Sequence, residues 1–296
     1  MSGELWTTLQ DAAVGSFGDY AFMRRALVAC LALALGCGPV GVFLVLRRMS
    51  LVGDAMSHAI LPGAAIGFLL GGLSLPAMSL GGFVAGLLVA LLAGLVARMT
   101  RLREDASFAA FYLISLALGV LIVTLHGSTV DLMHVLFGTI LAVDDTALLL
   151  VAGISSLTVC VFALMYRPLV VECFDPGFLR AQGGGGGVIH LLFLALVVLN
   201  LVAGFQALGT LMAVGMMMLP AATARLWARQ VPGLIAVAMV IAFLSGYGGL
   251  VLSFAWNLPS GPAIVLMAGV FYLISLLVGP VGGVLPRLLP RSHLEA

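Results

Sequence analysis

A chain of 296 residues that is 62% hydrophobic and only 8% charged lies far from a soluble domain, where roughly half the residues are apolar and a quarter charged; it reads as one all-α polytopic membrane domain over residues 1–296, with no room for a soluble enzyme. The net charge is +1 and all 13 basic residues are arginine, so the chain carries no nucleic-acid footprint. Its four cysteines, Cys30, Cys37, Cys160 and Cys173, show no paired metal spacing and are assigned no role.

Residues 1–20 predict an amphipathic interfacial segment, with Leu5, Trp6, Leu9, Ala12 and Ala13 on one face. Glu4, Asp11 and Asp19, together with the lack of a basic n-region, argue against a cleavable signal peptide. Apolar spans follow at about 23–46, 51–72, 76–98, 107–126, 145–166, 188–205, 207–228, 232–254 and 261–280. Each is close to the length that crosses a hydrocarbon core of about 30 Å. Eight or nine transmembrane helices are expected, because one span could be re-entrant. Gly36, Gly38 and Gly41, and Gly81, Gly82 and Gly86, form small-residue faces on which helices can approach closely. Pro62, Pro220 and Pro262 are candidate kinks.

The second span holds the most informative polar residues. Asp54 and His58 are four apart, which places both side chains on one helical face. A carboxylate inside a membrane helix costs about 2.5–3.5 kcal/mol on insertion scales unless it meets a cavity or a partner. Carboxylate and imidazole are donors that a divalent transition metal accepts. The plainer alternative is an Asp–His hydrogen bond that locks two helices together, and the pair alone leaves both open. Other polar residues in spans, Asn200, Ser245 and Ser253, are expected to make interhelical hydrogen bonds. His190 reads as an exposed interfacial histidine, and Met212, Met216, Met217 and Met218 read as packing.

Orientation follows from the arginines. With the 167–187 loop in the cytoplasm and spans alternating from there, every arginine except Arg24 and Arg25 falls inside, which puts the N-terminus out and the C-terminus in. That inner loop, 172–187, contains Asp175 followed by Pro176, a helix start with an N-cap and proline at the first helical position. A short helix over about 176–182 would present Phe178 and Leu179 as a docking knob for a partner or, alternatively, lie on lipid. The glycine run 183–187 reads as a flexible linker, since it lacks the Lys-Ser/Thr of a phosphate loop. On the outer side, residues 130–143 carry Asp131 and His134 on one helical face. With His126, Asp144 and Asp145 they form a candidate cation-attracting vestibule, or simply a set of solvated loop residues.

Five stretches, RRMSLVGDAMSHAILPGAAIGF, VDLMHVLFGTILAV, ECFDPGFLRAQG, LGTLMAVGMMMLPAATAR and LPSGPAIVLMAGVFYLIS, occur in this order between residues 47 and 275, within a resemblance that runs from about residue 22 to 280. Together they resemble the membrane permease of ABC importers for zinc, manganese and iron, with VDLM-x-x-LFG and PAATAR nearest to the zinc permeases. The resemblance implies a type II ABC importer-like fold with a short cytoplasmic coupling helix. It implies a second copy of the chain as partner, two cytoplasmic ABC ATPase subunits, and an extracytoplasmic metal-binding protein that delivers the ion. It places the metal path at Asp54 and His58, with Asp131 and His134 as further candidates. The coupling element falls at Asp175, Pro176, Gly177, Phe178, Leu179 and Arg180. No permanently bound cofactor is expected: the ion is cargo, Zn²⁺ first and Mn²⁺ or Fe²⁺ next, and ATP belongs to the partner subunit. The setting implied is the lipid of a bacterial inner membrane. Competing readings are a permease for a metal chelate and a proton-coupled secondary transporter.

Overall fold

A computed structural model of the chain describes residues 15–72, 74–100, 104–125, 143–175, 178 and 185–285. The apolar runs fold as α-helices, and no strand occurs among the described residues. After a helical turn at Ser16–Asp19 come α1 (Ala21–Leu46), α2 (Ser50–Ala59), α3 (Leu61–Gly71), α4 (Leu75–Met99) and α5 (Glu104–Leu125), then α6 (Asp145–Phe174), α7 (Gly186–Leu208), α8 (Thr210–Ala224), α9 (Val231–Trp256) and α10 (Ser260–Val278). Among the described residues eight helical segments are long and apolar enough to cross a membrane, with α2 and α3 together making one of them; α8 is shorter. The expected all-α membrane architecture is therefore present.

Helix α1 runs through the middle, packed against α6, α7, α8 and α9, and buries residues on every side from Met23 to Leu44. Glycine makes this possible. A Cβ on Gly41 would strike the carbonyl of Met217, so α1 and α8 cross with their backbones in contact. Gly63 and Gly81 approach each other in the same way where α3 crosses α4. The glycine faces expected from the sequence are thus helix contacts, although each serves several neighbours: Gly36 faces Asn200 and Ser155, Gly38 faces Met239, Gly82 faces Ile60 and Gly86 faces Val198.

Four boundaries differ from the sequence reading. The second span is two helices, because Pro62 in the first turn of α3 lacks the N–H that would bond the carbonyl of His58. Ser115 on α5 supports the break by donating from Oγ to the carbonyl of Ala59 at 3.1 Å. Helix α6 does not stop near residue 166 but continues to Phe174. Its 30 residues span about 45 Å, longer than the hydrocarbon core, so its last turns leave the bilayer. Helix α8 is only 15 residues long, because the chain turns sharply just before it at Gly209, whose φ of 85° suits glycine. Of the glycine run, Gly186 and Gly187 are the first residues of α7 rather than linker.

Of the three prolines flagged as kinks, Pro62 marks a break, Pro220 lies inside α8, and Pro262 sits in the first turn of α10, where a proline is tolerated. Pro39 and Pro168 also lie inside helices.

Candidate functional site

Helix α2 is wedged among α1, α4, α5, α7 and α8, and carries Asp54 one turn and His58 two turns from its start. The imidazole of His58 stacks on Tyr112 of α5, with ring centroids 6.1 Å apart, and is 30% exposed. Its Nδ1 is buried and has no hydrogen-bond partner among the described residues. Asp54 is 63% exposed, so its carboxylate faces the outside of this chain rather than its core.

His58 Nε2 lies 3.9 Å from Asp54 Oδ1. This gap is too wide for a hydrogen bond. Two donors of a tetrahedral or octahedral ion with bonds of ~2.0–2.2 Å stand about 3.0–3.4 Å apart, so shared ligation would need the two side chains to close by roughly half an ångström or more. The alternative of a helix-locking hydrogen bond finds no support in this geometry. Ser57 donates to the carbonyl of Asp54 at 2.7 Å. Among the described residues no group of three or more His, Cys, Asp or Glu side chains gathers to hold a metal. Met217 and Met218 bring their methyl groups against Gly53, and Met212, Met216 and Met217 are buried, which fits packing.

Asp131, His134 and His126 lie outside the described residues. Their acidic neighbours have structural partners. Asp144 caps α6, accepting from the Ala147 N–H at 2.8 Å and from the Thr146 hydroxyl. Asp145 pairs with Arg25 at 2.9 Å, which gives the one arginine pair that fell on the outer side an acidic neighbour at the same end of the bundle.

At the other end, the 175–180 segment expected to be the coupling element is described only at Asp175 and Phe178; Pro176, Gly177, Leu179 and Arg180 lie outside the described residues. The Phe178 N–H donates to Asp175 Oδ1 at 2.9 Å, which is the N-cap bond the Asp-Pro start predicts. Phe178 is 51% exposed.

Beside this segment stands a cluster that hydropathy did not reveal. Arg47, at the end of α1, aims its guanidinium between the roots of the loop. Nη2 is 2.9 Å from Glu172 Oε2, Nη1 is 2.9 Å from His190 Nδ1, and Nε donates to Cys173 Sγ at 3.4 Å. The Phe193 ring lies under the guanidinium, 4.5 Å from its centroid. The pair with Glu172 is an ion pair by distance but not a hydrogen bond: neither Arg47 Nη2 nor Glu172 Oε2 has an aligned partner. His190, expected to be an exposed interfacial residue, has only 17% of its side chain exposed, and Cys173 gains a contact that its isolated spacing did not suggest. The remaining polar residues divide. Asn200 bridges helices by donating to Thr158 Oγ1 at 2.8 Å, as expected, whereas Ser245 donates within its own helix and Ser253 donates to the carbonyl of Leu258 beyond the end of α9.

A bundle of apolar helices with an Asp and a His on one face of a membrane-length segment is the architecture of a polytopic membrane protein. Residues 19–279 match the ABC 3 transport family, and the chain belongs to it. It is 35% identical over 91% of its length to the manganese transport system membrane protein MntC of Halalkalibacterium halodurans, covering 91% of that protein. It is also 35% identical over 88% of its length to the manganese import system permease ScaB of Streptococcus parasanguinis, covering 92% of it. Among solved structures, PsaBC of Streptococcus pneumoniae, determined in complex with a Fab, superimposes with a TM-score of 0.81 at 32% identity, over 95% of this chain and 98% of that one. The chain is thus a multi-pass permease subunit of an ABC transporter, and ATP hydrolysis belongs to a separate subunit.

Proposed function

We propose that this permease moves a divalent transition metal, Mn²⁺ first, across a bacterial inner membrane into the cytoplasm. The observation that carries the reading is the 3.9 Å gap between His58 Nε2 and Asp54 Oδ1 on one face of a membrane helix. Among the described residues one chain brings together this pair, and Asp54 opens outward. A second copy facing it supplies a second Asp–His pair and removes the carboxylate from lipid, where it is costly. Such a homodimer holds the ion with mixed oxygen and nitrogen donors, with Asp131 and His134 as further candidates on the outer approach. The resemblance of VDLM-x-x-LFG and PAATAR to zinc permeases puts Zn²⁺ first, and four such donors suit its tetrahedral preference. The donor set accepts Mn²⁺ and Fe²⁺ as well, and relatives that carry manganese in their names move Mn²⁺ to the front.

The segment Asp175–Arg180 docks on the ATPase subunit, one ATPase per copy, and an extracytoplasmic metal-binding protein delivers the ion. ATP binding and hydrolysis below the membrane rock the two copies, so that the Asp54–His58 pairs meet the outside and then the inside.

The test is uptake by vesicles containing this chain, its ATPase and its delivery protein, with Mn²⁺ and Zn²⁺ offered separately. Asp54→Ala and His58→Ala are expected to lower uptake at least about tenfold while the complex still assembles and hydrolyses ATP. Normal transport by both variants rules the pair out as the ion path. Preferential uptake of Zn²⁺ reverses the ranking of the ions.

A further inference from the structure

The loop that meets the ATPase and the helix that meets the ion are far apart in sequence, yet one side chain touches the supports of both. Arg47 ends α1, and the chain reaches α2 in two residues through a tightly bonded turn. Arg48 adopts the left-handed region at φ 59°, its N–H bonds the Val45 carbonyl at 3.2 Å, and the Met49 N–H bonds the Leu44 carbonyl at 2.9 Å. This is the Schellman pattern, in which the helix end and the next two residues form one unit. Met49, its last member, is buried and immediately precedes Ser50, the first residue of α2. Asp54 follows one turn later. No slack separates the Arg47 backbone from the ion-facing carboxylate.

The side chain of Arg47 points the other way, to both roots of the 175–185 loop. Glu172 lies in the last turn of α6, three residues before the Asp175 cap, and His190 lies near the start of α7, five residues after Gly185. Arginine only donates hydrogen bonds, so His190 accepts at Nδ1 and carries its ring proton on Nε2. Three guanidinium nitrogens thus meet three side chains, with Phe193 beneath the plane. Arg47 and Glu172 side chains are only 8% and 11% exposed, so their attraction is poorly screened by water. Their ion pair is close but unaligned for hydrogen bonding.

We propose that Arg47 is the positioning residue that transmits movement of the ATPase-facing loop to the ion-bearing helix α2. The inference rests on the reading that Asp54 and His58 face the ion and that the 175–180 segment meets the ATPase. In it, displacement of Glu172 and His190 drags the guanidinium, and the bonded turn at Arg48 converts that into a shift of α2. A role confined to closing the helix ends is the competing account. The two differ in what a neutral pair does, because exchanging both charges for amides keeps the packing and removes the unpaired-charge penalty.

The experiment uses vesicles holding the complete complex with its delivery protein and internal ATP. Imported Mn²⁺ and released phosphate are measured in the same sample, alongside Mn²⁺ binding and thermal stability in detergent. In the double variant R47Q/E172Q, binding and stability are expected to stay near wild type while ATP spent per Mn²⁺ imported rises about tenfold. The single variant Glu172→Gln is expected to raise the ratio in the same direction. A ratio equal to wild type in both variants, whether the two rates fall together or not at all, overturns the proposal and leaves a structural role. If wild type imports no Mn²⁺, the functional reading fails and takes this inference with it; wild-type import with an unchanged ratio sinks this inference alone.

Discussion

Each end of the bundle is closed by an arginine–carboxylate pair with a 2.9 Å contact, and the two pairs are built differently. At the start of α1, Arg25 reaches Asp145 with side chains 45% and 71% exposed. At the other end of the same helix, Arg47 reaches Glu172 with 8% and 11% exposed. Equal distances conceal unequal physics. The first pair exchanges water for a partner that is hardly better, and salt screens it. The second has given up most of its water, so each charge depends on the other and on His190, Cys173 and Phe193. An ion pair matters to a membrane protein according to where its ends are anchored and how dry it is.

The largest expected effect comes from breaking the dry pair. Arg47→Gln alone strands the Glu172 carboxylate in a poorly hydrated pocket and should destabilise the purified permease by about 3–5 kcal/mol. The double variant R47Q/E172Q should recover most of that loss. Thermal unfolding in detergent of wild type, single and double variants measures the coupling directly. Additive losses would mean that the two residues do not depend on each other, and the contrast between the two ends would collapse.

How much of this is legible in the sequence depends on the range of the interaction. Local signals read well. Long apolar runs announce the helices, and the spacing of Asp54 and His58 announces a shared face. Asp175 ahead of Pro176 announces a cap, which the bond to Phe178 bears out. Signals that need a distant partner do not read. Arg47 meets His190 from 143 positions away, and nothing near either residue says so. Histidine at a predicted interface looks exposed until a helix end from elsewhere covers it. The overrun of α6 is missed for another reason: Arg167 and Pro168 look like the end of a span, yet the helix ladder continues after the hydrophobic signal has stopped. At the candidate site, one chain carries half of the proposed donor set, and no spacing within a single sequence can display donors that come from a second copy.

The end of the bundle at Arg25 and Asp145 offers a smaller and chemically different test in the Asp144 cap of α6. Hydrogen bonds from the Thr146 hydroxyl and then the Ala147 N–H hold the Asp144 carboxyl below the usual carboxylate range, against a small opposing effect of burial. The sign follows from linkage. A carboxyl whose folded value is depressed adds stability that is present above the unfolded carboxylate range and is lost as pH falls through the lower folded value. Asp144→Asn should keep the cap and remove the acid dependence. Asp144→Ala should cost about 0.5–1 kcal/mol, the lower part of the range for caps, since water competes for these bonds. Melting curves at neutral pH and below the carboxylate range separate the two variants. If wild type and Asp144→Asn lose stability in parallel on acidification, the cap is not the group responsible.

The smallest effect is expected where the contact distance is least informative. Removing the exposed pair with Arg25→Gln or Asp145→Asn should change stability by less than about 1 kcal/mol, and raising the salt concentration should erase even that. The same salt titration on Arg47→Gln should leave its deficit nearly intact, because ions do not reach a contact that water barely reaches. A salt-sensitive deficit at Arg47 would mean the inner cluster is wetter than its exposure implies, and its stiffness as a link between the loop and α2 would fall with it. A salt-resistant deficit at Arg25 would instead point to a dry partner surface at the outer end, covering a pair that lies open in the isolated chain.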